Sequence, residues 1–245
     1  MSTMYDFDHL VVMGRDQMVN LSQRFEALGF HLTPTARHNL GSMNRLIMLN
    51  TAYVELLGWG AGELPARKEI ADEPIGLNAL VFRTQDAQEC HRVLEQNGYC
   101  PNPVQALTRP VDINGGTAQA SFRTVRFSTQ PIAGLRIYFC QHLTPEYVWR
   151  PEDQAHPNGL TELVDIVLES SDPSLLDSQL RRLLVCSPEL GSQAQPITQQ
   201  HEIALGNCRL RIVPSSSGKP VAIQSCGIGS TQRQATLRFG NEILQ

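Results

Sequence analysis

The feature that most constrains this 245-residue chain is a repeat: a strand, a helix and three more strands recur after roughly seventy residues. Residues 7–13 form an apolar run containing β-branched Val11 and Val12, which reads as a buried strand. Over residues 15–28, Met18, Val19, Leu21, Phe25 and Leu28 recur at helical spacing, with Asp16 placed to cap the start and Gly29 to stop the end. Strands are expected at residues 30–35, 45–49 and 53–57, with Asn50 and Thr51 turning between the last two. The second unit has a strand at 77–82, a helix at 86–96 ended by Asn97-Gly98, and strands at 103–107, 120–127 and 135–141. A third begins with a strand at 163–168 and a helix at 173–184, where Asp172 caps and Pro173 takes the first helical position. Four strands are expected after it, at 202–205, 208–213, 221–225 and 235–239. The organisation predicted is a first βαβββ module over 1–60, a linker over 61–75, a second module over 76–142, a linker over 143–162, and a third, partial module over 163–245.

Composition narrows the function classes. Apolar residues make up 41% and charged residues 18%, a globular balance. Acidic residues outnumber basic ones 24 to 20, so no basic field exists to attract nucleic acid. No apolar stretch approaches the roughly 20 residues of a membrane helix, so no membrane partner is expected. Asp6, Asp8 and His9 interrupt the N-terminal apolar run, which is unlike a secretory leader. The six cysteines are scattered without a C-x₂-C pair, which predicts reduced thiols, a cytoplasmic location and no structural zinc site.

Several stretches carry a family resemblance: DHLVV (8–12), FEALGF (25–30), RHNLGSMNRLIML (37–49), AYVELLG (52–58) and QHLTPEYVWRPEDQAHPNG (141–159). Over essentially the whole chain they resemble the glyoxalase-like domain group of the vicinal oxygen chelate superfamily. The resemblance implies an α+β fold of tandem βαβββ modules, with mixed curled sheets around a cavity. It also implies a small oxygenated molecule bound in the cup, a divalent metal ion, and lyase, isomerase or dioxygenase chemistry. The alternative is a metal-free protein that binds or sequesters its ligand, since one fold hosts many chemistries. A homodimer is expected on the same ground.

Two residues head the candidate site. His9 lies mid-strand, and strict alternation puts Phe7, His9 and Val11 on one face and Asp8, Leu10 and Val12 on the other. Glu55 sits inside the equally apolar YVELL. A buried charge is costly unless paired or on a metal, so both positions need a partner. The resemblance brings the two to one cavity, where an imidazole and a carboxylate suit a divalent ion. They are expected roughly 3 to 6 Å apart. In a lyase or isomerase Glu55 is also the candidate catalytic base. The bland alternatives are a His–Glu ion pair or a polar lining. In the second module Ala79, or Asn78 after a one-residue shift, stands opposite His9, and Tyr138 or Cys140 falls near the place of Glu55. His142 is the candidate substitute third metal ligand, or else a histidine that anchors the following turn.

The loop from His38 to Asn44 joins two strands at the mouth of the cup. His38 and Asn44, with Ser42, are the candidate substrate-binding residues, flanked by Arg37 and Arg45, which can pair with an anion. A plain polar hairpin loop is the other reading. His156-Pro157-Asn158-Gly159 reads as a structural turn. Asp165 reads as an acid on the exposed face of an edge strand, and His31, His91 and His201 receive no role. The chain has no G-x-S-x-G elbow and no P-loop, and no cysteine lies in surroundings that would make it a nucleophile.

Overall fold

The structure, a computed structural model, describes residues 5–113, 115–184, 201–215, 218, 220–231 and 233–238. Cys186, with the expectation that its thiol is reduced, and Phe239, the end of the last expected strand, lie outside the described residues. The first module comprises β1 (Asp6–Arg15), α1 (Met18–Ala27), β2 (Ala36–Arg37), β3 (Met43–Met48) and β4 (Tyr53–Gly58). A short helix α2 (Lys68–Ala71) occupies the expected linker. The second module comprises β5 (Gly76–Arg83), α3 (Ala87–Gln96), β6 (Gln105–Ile113), β7 (Gly116–Val125) and β8 (Arg136–His142). After two 3-10 turns come β9 (Glu162–Ser170), α4 (Pro173–Leu184), β10 (His201–Ala204), β11 (Arg209–Pro214), β12 (Val221–Gly229) and β13 (Gln234–Arg238).

The first two modules share one mixed eight-stranded sheet in the order β2-β3-β4-β1-β5-β8-β7-β6. In each module the last strand runs parallel beside the first, β4 with β1 and β8 with β5, and β1 meets β5 antiparallel. The sheet curls until its two ends meet. The backbone N–H of Asn39 donates to the Thr108 carbonyl at 2.9 Å, and the Thr108 N–H donates to Asn39 Oδ1 at 3.1 Å. The third module builds a five-stranded sheet, β10-β11-β9-β12-β13. There β11 runs parallel to β9 as β4 does to β1, and β12 is antiparallel to β9 as β5 is to β1.

Two apolar cores follow from alternation. Leu10 and Val12 of β1, Leu80 and Phe82 of β5 and Ile137 and Phe139 of β8 point outward, where they pack with the helices and the second sheet in one core. Val11, Met13, Leu57, Val81, Phe122 and Cys140 point inward and fill the cup. The linker is fastened by the HPNG turn, as the turn reading expects. His156 Nε2 donates to the Met48 carbonyl at 2.7 Å, its Nδ1 accepts the His31 N–H at 3.0 Å, and Asn158 Nδ2 donates to the Leu28 carbonyl.

Several local expectations need correction. Residues 30–35 form no ladder: Pro34 has no N–H, and Thr33 instead holds Leu46 through its own N–H and hydroxyl. β6 runs on to Ile113 through Pro110, which is tolerated because this strand ends the sheet. Asp16 does not cap α1, whereas Asp172 does cap α4, accepting the Leu175 N–H at 2.9 Å. Asp165 is not on an edge. β9 is the middle strand, Asp165 is buried, and it pairs with Arg211 at 3.2 Å, with the missing side chain of Gly227 leaving it room.

Candidate functional site

A β-bulge sets up the site. Along β1 and β5, Phe7 pairs with Phe82 and His9 with Val81, so Asp8 is the extra residue. The strict alternation expected for residues 7–9 is therefore wrong: Phe7 turns to the outer core, while Asp8 and His9 bond to each other. Asp8 is fully buried and accepts three donors: His9 Nδ1 at 2.7 Å, Arg83 Nε at 2.7 Å and His142 Nε2 at 2.9 Å. Burial acts to raise the Asp8 pKa, but His142 and His9 outweigh it and hold the carboxyl well below its usual range. Because a carboxylate only accepts, His9 carries its proton on Nδ1 when neutral and turns its Nε2 lone pair into the cavity.

At Nε2 the ring meets Glu55 Oε2 at 3.6 Å and the Tyr138 hydroxyl at 3.2 Å, and it stacks on Tyr53 with centroids 4.4 Å apart. His9 and Glu55 thus share one cavity at the expected separation. Glu55 Oε1 accepts from Asn44 Nδ2 at 2.8 Å and lies 3.9 Å from His38 Nε2. Burial would raise the Glu55 pKa, but His9, His38, the Asn44 hydrogen bond and Arg67 together lower it, so the carboxylate is ionised. Burial, reinforced by Arg109, Arg67 and Arg126 against the pull of Glu55, pushes His38 down to about 4, which leaves it neutral at pH 7. Its Nδ1 lies 3.0 Å from Ser42 Oγ, leaving Nε2 toward Glu55 and Asn44. The loop is therefore no plain polar hairpin: His38, Ser42 and Asn44 are all buried. These groups surround a cavity of about 20 Å³, room for one water molecule or ion.

His142 stands apart. It approaches Asp8 on the Nδ1 side of His9, whereas Glu55 faces Nε2, and among the described residues the ligand atoms of His9, Glu55 and His142 do not form a group within 4.8 Å of one another. Nor does it anchor the following turn, since its bond goes to Asp8. Asp8, Cys140 and His142 are the one group of three possible ligands, among the described residues, whose donor atoms all lie within 4.8 Å. Their chemistry fits a metal poorly. Arg83 and both histidines already occupy the Asp8 oxygens, and burial together with Asp8 raises the Cys140 thiol well above its usual value.

The register places Ala79 beside Arg136 and Val81 beside Tyr138, matching His9 beside Tyr53 and Val11 beside Glu55. Ala79 therefore takes the place of His9, and Tyr138 that of Glu55. Sequence reasoning missed Arg109, which lines the cavity, and Asp8, which holds His9 from behind. Asp8 was assigned to the opposite face, although its position directly before His9 was a usable signal. Arg109 lay on the unrecognised part of β6.

The glyoxalase-like domain family matches residues 7–184. No curated protein sequence matches the chain. Among solved structures, a hypothetical protein from Staphylococcus aureus is 14% identical with a TM-score of 0.66, covering 95% of this chain and 98% of that one. A xylose isomerase-like TIM barrel/4-hydroxyphenylpyruvate dioxygenase fusion protein is 15% identical with a TM-score of 0.54, covering 93% of this chain and 37% of that one. At these identities the two structures share the fold.

Proposed function

Because the chain belongs to the glyoxalase-like domain family, we propose that it binds a small oxygenated molecule at a divalent-ion site formed by His9 and Glu55, as a lyase, isomerase or dioxygenase. The observation that carries this reading is the orientation of His9: Nδ1 is fixed by a buried carboxylate and Nε2 lies 3.6 Å from Glu55. A carboxylate behind a histidine fixes the tautomer and strengthens the ring as a ligand. The donor set fits: an ionised carboxylate, the Nε2 of His9 beside it, and neutral His38 within reach of the second Glu55 oxygen. His142 has no part in it. A bound divalent ion supplies Lewis acidity to two neighbouring ligand oxygens. Asn44 orients Glu55, whose carboxylate is placed to accept a proton from a bound molecule.

Calorimetric titration of chelator-treated protein with Zn²⁺ and Mn²⁺ tests this reading. One equivalent should bind, and His9→Ala and Glu55→Gln should each weaken binding by about a hundredfold or more. No binding, or a site that survives both changes and is lost only in His142→Ala, would refute it. One observation favours the metal-free alternative: the Tyr138 hydroxyl already bonds His9 Nε2, and the second module offers Ala79 and Tyr138 where ligands would stand. A cytoplasmic homodimer belongs to the same reading. It rests on the five free described cysteines and on the family, and light scattering of the purified protein tests the dimer. No helix among the described residues is long and apolar enough to cross a membrane.

A further inference from the structure

Four arginines surround the cup: Arg67, Arg109, Arg126 and Arg136. Three have partners. Arg136 donates to Asn78 Oδ1 at 2.7 Å and lies over the Tyr138 ring. Arg67 pairs with Glu69 at 2.8 Å, and Arg126 reaches Glu69 at 3.6 Å and Gln105 Oε1 at 3.2 Å. Even so, Nη2 of Arg67 and Nε of Arg126 are buried without a hydrogen-bond partner among the described residues. Arg109 is the extreme case. It is 6% exposed, lines the cavity beside Glu55 and His38, and its side chain makes no hydrogen bond or ion pair with any described residue.

The charges do not balance. Against the four guanidiniums stand Glu55 inside and Glu69, whose side chain is 52% exposed and screened by solvent, while Asp153, which also acts on Arg109, is already paired with Arg150 at 2.7 Å. Arginine stays protonated in folded proteins, and a buried guanidinium with no partner is strongly unfavourable, so it needs an anion. Arg109 also lines a second pocket of about 90 Å³ between β6 and the linker at Tyr147 to Asp153. It therefore stands between the inner cavity and a neighbouring space, where an incoming ligand would meet it.

We propose that the cup takes an anionic small molecule by way of this second pocket, which holds its body while its oxyanion, carboxylate or phosphate, is received by Arg109, with Arg67 and Arg126 supplying the field behind it. This rests on the cup being a small-molecule site, but not on a metal ion. The planar guanidinium fork matches either oxyanion with two parallel hydrogen bonds.

The experiment uses chelator-treated full-length protein without added metal, so that the metal site and the anion site are read separately. Calorimetry compares glycolate, its neutral counterpart glycolamide, and inorganic phosphate. At least one anion should bind about tenfold or more tighter than glycolamide. Preference for glycolate identifies a carboxylate ligand, and preference for phosphate a phosphorylated one. Arg109→Met should abolish the difference, and Arg92→Met, at an exposed arginine of α3, should keep it. Because Arg109→Met removes an unpaired buried charge, that variant should melt at or above the wild-type temperature. Equal binding of glycolate and glycolamide with none of phosphate, no binding at all, or undiminished anion binding in Arg109→Met would overturn the proposal. So would an Arg109→Met variant that melts well below wild type, which would make Arg109 a structural cation.

Discussion

Replacing Asp8 by alanine removes the one acceptor that three donors share. His9 and His142 have side chains 4% and 6% exposed, so each loses its partner in a dry environment. An unsatisfied buried donor costs about 1–3 kcal/mol. His9 recovers part of this by moving its proton to Nε2, which faces Glu55 at 3.6 Å. Arg83 contributes less, because its side chain is 26% exposed and it keeps the Thr51 carbonyl and the Trp149 ring. The expected loss is about 3–4 kcal/mol, within the range for breaking a buried ion pair from one side. Asp8→Asn should lose nearly as much, since its NH₂ would face a donor. Urea unfolding at pH 7, followed by far-UV circular dichroism, measures both. The sign of the pH dependence is fixed by the depressed folded pKa of Asp8. Its stabilisation is complete above the unfolded value of about 3.9 and is lost as pH falls below it, so the gap between wild type and Asp8→Ala should narrow in acid. A loss under about 1 kcal/mol at pH 7, or a gap that widens in acid, would refute the reasoning.

Three shorter predictions stand beside it. Glu55→Gln should keep the Asn44 contact and the fold while losing metal affinity, read by circular dichroism and metal titration. His38, held at about 4 in the fold against 6.5 when unfolded, makes stability fall as pH drops from about 6.5 to about 4, by about 3 kcal/mol; His38→Gln should flatten that slope in denaturant titrations across the window. Gly58→Ala would drive a methyl group into the Arg15 carbonyl oxygen and against the Met18 side chain, and should cost about 3 kcal/mol or more in thermal or urea unfolding.

What the sequence disclosed depended on how local the signal was. The helices were legible because apolar spacing and terminators lie within one segment: Gly29 and Gly98 both take positive φ at the ends of α1 and α3. The βαβββ order was legible from local periodicity, and the family resemblance laid the first and fourth strands side by side, so that His9 and Glu55 were expected to meet. The bulge at Asp8 was not, since it arises from how β1 registers against β5, seventy residues away, and nothing in DHLVV alone reveals it. The same one-residue shift hid the role of Asp8 and misplaced Phe7. Arg109 was lost because the strand was expected to stop at Leu107, whereas β6 runs on to Ile113 through Pro110, which an edge position tolerates. His142 was singled out as a substitute metal ligand or a turn anchor, and nothing in its own strand tells which nitrogen of His9 it would approach.

The two modules keep the apolar pair Val11 and Val81 but exchange their polar positions, His9 for Ala79 and Glu55 for Tyr138. The cup is therefore polarised, with imidazoles and a carboxylate on the first module and a phenol with Arg109, Arg126 and Arg136 on the second. Tyr138 stands at the junction, since its hydroxyl donates to the nitrogen that would ligate an ion. Burial raises the pKa of that hydroxyl, so it remains a donor at any physiological pH. Removing it separates the two readings of the site. A hydrogen bond is worth about 0.5–1.5 kcal/mol net, so freeing the Nε2 lone pair in Tyr138→Phe should raise metal affinity by about two- to tenfold if ligation at Nε2 is the function. If the cup instead binds its ligand without metal, the same change removes an ordered donor from the pocket, and ligand affinity should fall while metal titration stays silent. Parallel titrations of wild type and Tyr138→Phe with Zn²⁺ and with glycolate read both outcomes. A Tyr138→Phe variant that binds Zn²⁺ more weakly than wild type would place the phenol among the ligands and refute the assignment of His9 and Glu55 as the pair that suffices.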